Sequence, residues 1–352
     1  MSLYDRAALA RALDVSPDDL EELTADGIAH AHVRVRGRGQ LVRIPRFSQV
    51  ASDPRAHLDY QAACFARAEP AGVTPLLEAV LAPAAGLPMG GLVVEEIVGR
   101  VPDLARDLPA VAAALASLHG LAVPPPAERR PLVDHAADPL EGARAHLARQ
   151  AVVLEDPDDA TVLAPAARTI LREELADLMP RLDALRDAPQ PAGLIAFDCH
   201  PGNFIIEPTS DWDGRAVLVD LERVQYGAPA SDLAHATLPT STLWDRRIDV
   251  VLPRPALEGF YRDYRRALDP VRAAQLRPFL APFRRLIFLR STTWFVRFLG
   301  ETRAGRWSAG SLDPAFLAEV ERRIRRLLEP AHLDAMRAEW RGRDPFDPAA
   351  LF

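Results

Sequence analysis

The sequence predicts an α+β protein with two lobes, a smaller one built on an antiparallel sheet and a larger one that is mainly helical. Up to about residue 97 the apolar pattern indicates the order strand, strand, helix, strand, strand. Beyond that point it is mostly helical and is interrupted once by two short apolar strands. A chain of 352 residues is long enough for two lobes. We therefore expect residues 1–97 to form an N-terminal lobe with a leading helix, and residues 98–352 the C-terminal lobe.

The elements of the first lobe follow from local patterns. The spacing of Leu9, Leu13 and Leu20 predicts a leading helix with one apolar face over the first twenty-odd residues. The segment HAHVRVRGRGQLVRIPRF then alternates apolar and polar residues on both sides of Gly37–Gly39. This alternation around glycines is typical of a β-hairpin. A helix in DPRAHLDYQAACFARAE and strands in TPLLEAVLA and GGLVVEEIVG complete the lobe.

The second lobe opens with a helix in LPAVAAALASLHGL, which a proline cluster at Pro124–Pro126 ends. Helical segments follow over about 140–187, and the chain is helical again from Ser231 onward. Between them, GLIAFDCHPGNFIIEPTSDWDGRAVLVDLERV predicts two strands joined by a turn at Asp213 and Gly214.

The composition excludes several kinds of chemistry. All 42 basic residues other than histidine are arginine, so a Schiff base, a lysine general base and the lysine of a phosphate-binding P-loop are all excluded. The net charge of −7 argues against nucleic-acid binding. Charged residues near the start and short apolar runs indicate a cytoplasmic protein without membrane segments. Cys64 and Cys199 have neither metal-ligand nor disulfide spacing, so we expect two buried thiols.

Three polar residues mark the predicted hairpin as the chemical site. Asp198 is followed five positions later by Asn203, and Asp220 ends the apolar run AVLVD. Antiparallel pairing would bring Asn203 and Asp220 together at one end of the hairpin. Carboxylate and amide oxygens suit Mg²⁺ together with phosphate oxygens, which would leave Asp198 to accept a proton from a hydroxyl.

These segments resemble those of a known family. AFDCHPGNFII and VLVDLERVQYGAPASDLA are similar to the catalytic and metal-binding segments of the aminoglycoside phosphotransferase and choline kinase family. The likeness extends to GLVVEEIVGR, which resembles the hinge strand of the family with its Glu-x-x-x-Gly end, and to ALASLHGL in the helix that follows. The resemblance implies a protein-kinase-like fold and transfer of the ATP γ-phosphoryl group to a hydroxyl of a small molecule.

The resemblance also implies residue roles. Asp198 would be the catalytic base, Asn203 and Asp220 the Mg²⁺ ligands, and Asp232 a buried anchor of the catalytic loop. The backbone from Glu95 through Ile97 to Val98 would bind the adenine of ATP.

The chain departs from the family pattern at the strand that normally carries a lysine. In QLVRIPR, Leu41 and Arg43 share one face, so Leu41 would pack under adenine and Arg43 would reach the phosphates. Gln61 replaces the usual glutamate, and we expect its amide to bond the strand cation. Ala196 stands where the family usually has histidine, and the nucleotide loop DGIAHAH has a single glycine.

Two other functions remain open at this point. The missing lysine and glutamate are compatible with a catalytically silent nucleotide-binding regulatory protein, although Asp198, Asn203 and Asp220 argue against it. A protein Ser/Thr kinase is disfavoured because no A-P-E-like segment follows Asp220. The sequence identifies neither the acceptor, for which aminoglycosides, choline, ethanolamine and sugars all fit, nor the oligomeric state. The aromatic residues of the helical lobe that could contact an acceptor are Trp244, Trp294, Tyr261 and Tyr264.

Overall fold

The computed structural model describes residues 3–23, 27–48, 53–155, 162–208, 214–305 and 312–352. Asp213 of the predicted hairpin turn and Asp26 of the nucleotide loop lie outside these ranges. In the described part, the N-terminal region holds one five-stranded sheet with the strand order β1-β2-β3-β5-β4, antiparallel throughout. Its strands are β1 Leu20–Glu22, β2 His30–Val35, β3 Gln40–Pro45, β4 Leu77–Leu81 and β5 Gly91–Glu95.

The sheet is covered on both faces because successive side chains along its strands point into two different apolar clusters. Val42 on β3 and Val93 on β5 belong to a small cluster that also contains Leu9 of helix α1 (Arg6–Leu13). Their neighbours Leu92 and Val94 join the main core with helix α2 (Pro54–Ala68). The leading helix therefore packs on the outer face, and α2 lies on the face toward the rest of the protein.

The C-terminal region is mainly helical and shares the main core with α2. The helices after the first sheet are α3 Leu108–His119, α4 Pro139–Ala151, α5 Pro165–Asp183, α6 Pro229–Thr237, α7 Pro239–Thr242, α8 Arg254–Arg266, α9 Pro270–Leu276, α10 Leu280–Arg303, α11 Pro314–Leu327 and α12 Pro330–Arg341. The central element is the 24-residue helix α10, which packs against α4, α5 and α6.

The predicted hairpin is present between the helices. Strands β7 (Phe204–Glu207) and β8 (Arg215–Leu218) pair antiparallel, and β6 (Gly193–Ile195) pairs with β9 (Gln225–Gly227). Both predicted cysteine thiols are buried and unbridged, as expected.

The segment that leaves β5 is attached to this hairpin. The backbone of Arg100 exchanges two hydrogen bonds with Ile206 on β7. A Cβ at Gly99 would lie 2.3 Å from the Ile206 carbonyl oxygen, so only glycine allows this close approach. The two-lobed α+β architecture is as predicted, while the boundary at residue 97 stays a prediction.

Candidate active site

The three polar residues of the hairpin segment meet in one cleft. Asp198, Asn203 and Asp220 all line a cavity of about 780 Å³ between the sheet and the helices. Asn203 immediately precedes β7, Asp220 follows β8, and the Val219 N–H donates to the Asn203 carbonyl at 2.9 Å. The hairpin therefore brings these residues to the same end, as the spacing predicts.

The segment that leads to Asp198, here named the catalytic loop after its predicted role, is held in place by Asp232, the residue predicted to be its anchor. The carboxylate of Asp232 is fully buried and accepts hydrogen bonds from the backbone N–H of Ala196 at 2.6 Å and of Phe197 at 3.0 Å. Phe197 has φ of 65°, a conformation that is unusual for a non-glycine residue. The loop immediately before Asp198 is thus fixed in a specific backbone conformation by a charged acceptor.

Side chains from two helices hold Asp232 and the loop in position. His119 on α3 contacts Asp232 through Nε2 at 3.0 Å, and its Nδ1 lies 2.8 Å from the Tyr264 hydroxyl. Arg290 on α10 donates to the Phe197 carbonyl at 3.0 Å. These contacts support Asp232 and the loop before Asp198.

Asp198 itself projects into the cleft, with 48% of its side chain exposed. His235 Nδ1 lies 3.8 Å from Asp198 Oδ1, and that nitrogen accepts from the Cys199 N–H. Burial holds the pKa of His235 well below its usual value, so this imidazole is neutral. The loop also bonds itself, since the Asn203 side-chain NH₂ donates to the Asp198 carbonyl at 2.8 Å.

Arg43 is buried behind Asp220 and forms an ion pair with it. One Nη donates to Asp220 Oδ1 at 2.6 Å, and the other donates to the Val219 carbonyl at 2.9 Å. Although burial opposes the shift, the positive charge of Arg43 lowers the pKa of Asp220 below its usual value. Arg43 therefore lies beside Asp220, while its contact with the nucleotide phosphates stays a prediction.

Gln61 does not bond Arg43, so that prediction is wrong. Its amide contacts His30 at 3.1 Å and His57 at 3.0 Å. His30 in turn lies 3.1 Å from Glu222 and 3.5 Å from an Arg43 Nη. A neutral imidazole on β2 therefore stands between the helix and the strand cation, a role that the sequence pattern gave no reason to assign.

Glu222 lines the cleft, and it is 8% exposed. Burial, reinforced by the charge of Asp220, raises the pKa of Glu222. Burial likewise holds the pKa of His30 well below its usual value. The His30–Glu222 contact is consequently a hydrogen bond between groups that favour their neutral forms.

Leu41, Glu95 and Ile97, the residues predicted to bind adenine, are not among the residues that line this cavity. Leu41 pairs with Val94 across β3 and β5 and is partly buried against the main core. The Glu95 N–H is bound by the Leu76 carbonyl. Among the described residues, no hydrogen-bond partner is found for the backbone groups of Ile97.

The donor set at the hairpin end fits Mg²⁺. Asp220 keeps its second carboxylate oxygen and is 30% exposed, and Asn203 uses its NH₂ internally, which leaves its amide oxygen for a cation. Mg²⁺ is a hard cation that prefers oxygen ligands, and the free atoms of both residues are oxygens. His30, Asp220 and Glu222 also lie within 4.8 Å of one another, but both His30 nitrogens are engaged within the protein.

The predicted aromatic residues divide into two groups. Trp244 and Trp294 line the cleft and pack edge to face with ring centroids 5.5 Å apart. Tyr261 and Tyr264 are fully buried in the core, so neither is available to an acceptor. Sequence reasoning missed Arg290 and His146, which lie beside the catalytic loop and come from helices whose patterns indicated only core and surface.

The chain belongs to the phosphotransferase enzyme family, since the model of that family matches residues 22–279 of the 352. No curated protein matches the chain. Among the described residues, no helix has both the length and the apolar character needed to cross a membrane.

Solved structures show that the fold is that of protein-kinase-like small-molecule kinases. The GDP and kanamycin complex of APH(2")-IIia is 16% identical with a TM-score of 0.59, covering 91% of this chain and 96% of that one. A choline/ethanolamine kinase family protein from Mesorhizobium loti is 21% identical with a TM-score of 0.57, covering 95% and 99%. An ethanolamine kinase from Plasmodium vivax is 14% identical with a TM-score of 0.56, covering 92% and 84%. The fold predicted from the sequence is thereby confirmed.

Proposed function

We propose that this protein is an ATP- and Mg²⁺-dependent phosphotransferase that moves the γ-phosphoryl group to a hydroxyl of a small molecule. The observation that carries the proposal is the meeting of Asp198, Asn203 and Asp220 in one cleft, with Arg43 paired to Asp220. The GDP complex of a structural relative is consistent with nucleotide binding.

In the proposed reaction, Asp198 binds and orients the acceptor hydroxyl and accepts its proton. The hydroxyl oxygen forms a bond to the γ-phosphorus, and the bond from that phosphorus to the bridging oxygen of ADP breaks. Asn203 and Asp220 would hold Mg²⁺, which neutralises charge on the phosphate oxygens. Such transfer depends mainly on positioning and electrostatics, so the anchoring of the loop by Asp232 contributes directly to catalysis.

The nucleotide would lie under the sheet. Leu41 would pack against adenine, and the backbone from Glu95 to Ile97 would bind its edge. Arg43 would hold both Asp220 and the phosphates, because a guanidinium presents several donors in one plane.

The test uses purified protein, ATP, Mg²⁺ and a broad panel of hydroxylated acceptors. We expect Asp198→Asn and Asp220→Ala each to abolish ATP-dependent product formation while the circular dichroism spectrum stays unchanged. Asp59→Asn, an exposed acidic residue on α2, is the matched control and should behave like wild type. Normal turnover by Asp220→Ala would refute the metal assignment.

A catalytically silent nucleotide-binding protein is the competing function. A thermal-shift titration with ATP and Mg²⁺ separates the two when it is combined with the acceptor panel. Stabilisation by nucleotide without turnover of any acceptor would favour the silent protein.

A further inference from the structure

The acceptor side of the cleft is rich in guanidinium groups. Several of them are neutralised locally: Arg247 pairs with Asp245 at 2.5 Å, and Arg297 pairs with Glu301 at 2.8 Å. The arginines among the described lining residues are Arg149, Arg223, Arg246, Arg247, Arg290, Arg297 and Arg323.

Arg149 and Arg290 differ from the paired arginines. Among the described residues, no carboxylate lies within ion-pair distance of either guanidinium. Arg149 is at the surface of α4, whereas Arg290 on α10 is only 7% exposed. The contacts of Arg290 are the Phe197 carbonyl and the Phe197 ring, whose centroid is 4.3 Å from the guanidinium carbon. Burial lowers the pKa of Arg290 although the charges of Asp198 and Asp232 act to raise it, so the through-space attraction of these carboxylates does not offset the burial of the cation. An anionic ligand bound directly to the guanidinium would reduce that cost.

Other groups at Phe197 add to the positive character of this region. The Arg223 guanidinium lies 5.0 Å from the Phe197 ring centroid, and His146 packs edge to face on the same ring. Burial, together with the charges of Arg290, Arg223 and Arg149, lowers the pKa of His146 to about 3. His146 Nε2 is buried without a hydrogen-bond partner among the described residues.

A cationic acceptor finds little to bind it here. Of the acidic residues that the structure describes in the cleft wall, Asp245, Glu301 and Glu319 each pair with an arginine of the same wall. The others, Asp198, Asp220 and Glu222, belong to the proposed catalytic end of the cleft. The aromatic rings do not form an open cage either, because Phe295 stacks on Trp244 with an interplanar angle of 13°. The charge next to Asp198 is therefore complementary to an anion.

We propose that the acceptor carries an anionic group, a carboxylate or a phosphate ester, and that Arg149 and Arg290 bind this group while Asp198 holds the reactive hydroxyl. The inference rests on the proposed function, since it names the acceptor class of the same site.

The first experiment compares neutral polyols and sugars with relatives that carry a carboxylate or a phosphate ester, and with cationic acceptors. Glycerol, glycerate and glycerol 3-phosphate form one set, glucose, gluconate and glucose 6-phosphate form a second, and choline and kanamycin are the cationic members. With ATP and Mg²⁺, we expect kcat/KM to be at least about 10-fold higher for an anionic member than for its neutral counterpart. Comparing glycerate with glycerol 3-phosphate, and gluconate with glucose 6-phosphate, shows which of the two anionic groups the site prefers. Preferential turnover of choline, kanamycin or a neutral member would overturn the inference while leaving the proposed function intact.

The second experiment uses Arg149→Ala, a surface substitution that should not disturb folding. Its KM for the anionic acceptor should rise about 10- to 100-fold while its KM for ATP is unchanged. Arg290→Lys keeps the charge but loses the planar fork, and a smaller rise is expected. Arg326→Ala, at an exposed site on α11 outside the cleft, is the control. A rise in the KM for ATP alone would place these arginines at the nucleotide instead.

Binding can also be measured without turnover. In calorimetry with ADP and Mg²⁺ present, glycerate and glycerol 3-phosphate are the probes, and binding should weaken at least about 10-fold in Arg149→Ala. Failure of both probes and of gluconate and glucose 6-phosphate to bind the wild-type protein would refute the inference. If the anions bind but ATP is never consumed with any acceptor, the proposed function fails while the anion site stands.

Discussion

Asp232→Asn tests how the catalytic loop is held. In the structure one carboxylate oxygen of Asp232 accepts from Ala196 N–H and from His119 Nε2, and the other accepts from Phe197 N–H. Asparagine has a single acceptor oxygen. If that oxygen keeps the first two donors, the new NH₂ group faces the Phe197 N–H, where two donors repel each other.

The expected cost follows from this loss. A hydrogen bond to a charged group contributes about 1.5–3 kcal/mol, and the Asp232 side chain is fully buried, so solvent does not replace the bond. We therefore expect the substitution to lower local stability by about 2–3 kcal/mol. Through local opening, this corresponds to roughly 30- to 150-fold faster amide exchange.

Hydrogen exchange followed by mass spectrometry measures this effect on peptides that contain Ala196 and Phe197. Activity should fall mainly in kcat, because Asp198 follows directly on the displaced backbone. Asp59→Asn on the surface of α2 is the control for loss of one carboxylate and should leave exchange in this loop unchanged. Wild-type exchange at both amides in Asp232→Asn would show that the anchor is not what fixes the loop.

Three further predictions concern the strand cation, the hinge and the pH dependence of stability. Arg43→Lys should keep much of the ATP-dependent activity, whereas Arg43→Ala should lower kcat/KM for ATP about 10- to 100-fold because Asp220 loses its charged partner. Wild-type kinetics for both variants would contradict the assignment of Arg43 as the cation of the nucleotide site. Gly99→Ala places a Cβ 2.3 Å from a backbone oxygen of β7 and should destabilise the protein by about 1–3 kcal/mol in thermal denaturation. Gly259→Ala, where the space around the glycine is open, should not destabilise it. Equal melting temperatures for wild type and Gly99→Ala would refute the close approach. Burial keeps the pKa of His235 well below its unfolded value of about 6.5, so below that pH the unfolded chain binds a proton that the folded protein does not. This one group should make stability fall with decreasing pH by up to about 1.4 kcal/mol per unit, in addition to the effect of the other buried histidines. His235→Gln should make the measured slope shallower by one proton, and an unchanged slope would contradict this assignment.

Much of the fold could be predicted because its elements follow from local patterns. The alternation around Gly37 and Gly39 specifies the β2–β3 hairpin, and the apolar strands around the catalytic segment specify β7 and β8. One local detail differs. Leu20, counted with the leading helix by its spacing, begins strand β1, because the 3₁₀ turn Pro17–Asp19 ends the helical region and Leu20 then pairs with Val35.

The site could be predicted only as far as spacing along the chain reaches. Asp198, Asn203 and Asp220 lie within one segment, so hairpin geometry alone brings them together. His30 and Arg290 approach the site from β2 and α10, far away in sequence, and their places depend on how the lobes pack. No local pattern distinguishes such residues from an ordinary strand histidine or helix arginine.

The absence of lysine and the replacement of the helix glutamate are physically connected. Arg43 uses two separate Nη atoms to hold the Val219 carbonyl and Asp220 at once, which the fork of a guanidinium does more rigidly than an ammonium. Because Asp220 already balances this charge, a glutamate at position 61 would have no cation to pair with. It would instead face two buried histidines, His30 and His57, whose pKa values burial lowers. A neutral amide, which both donates and accepts, satisfies such partners without burying another charge, so Gln61 is the residue that suits an arginine on this strand.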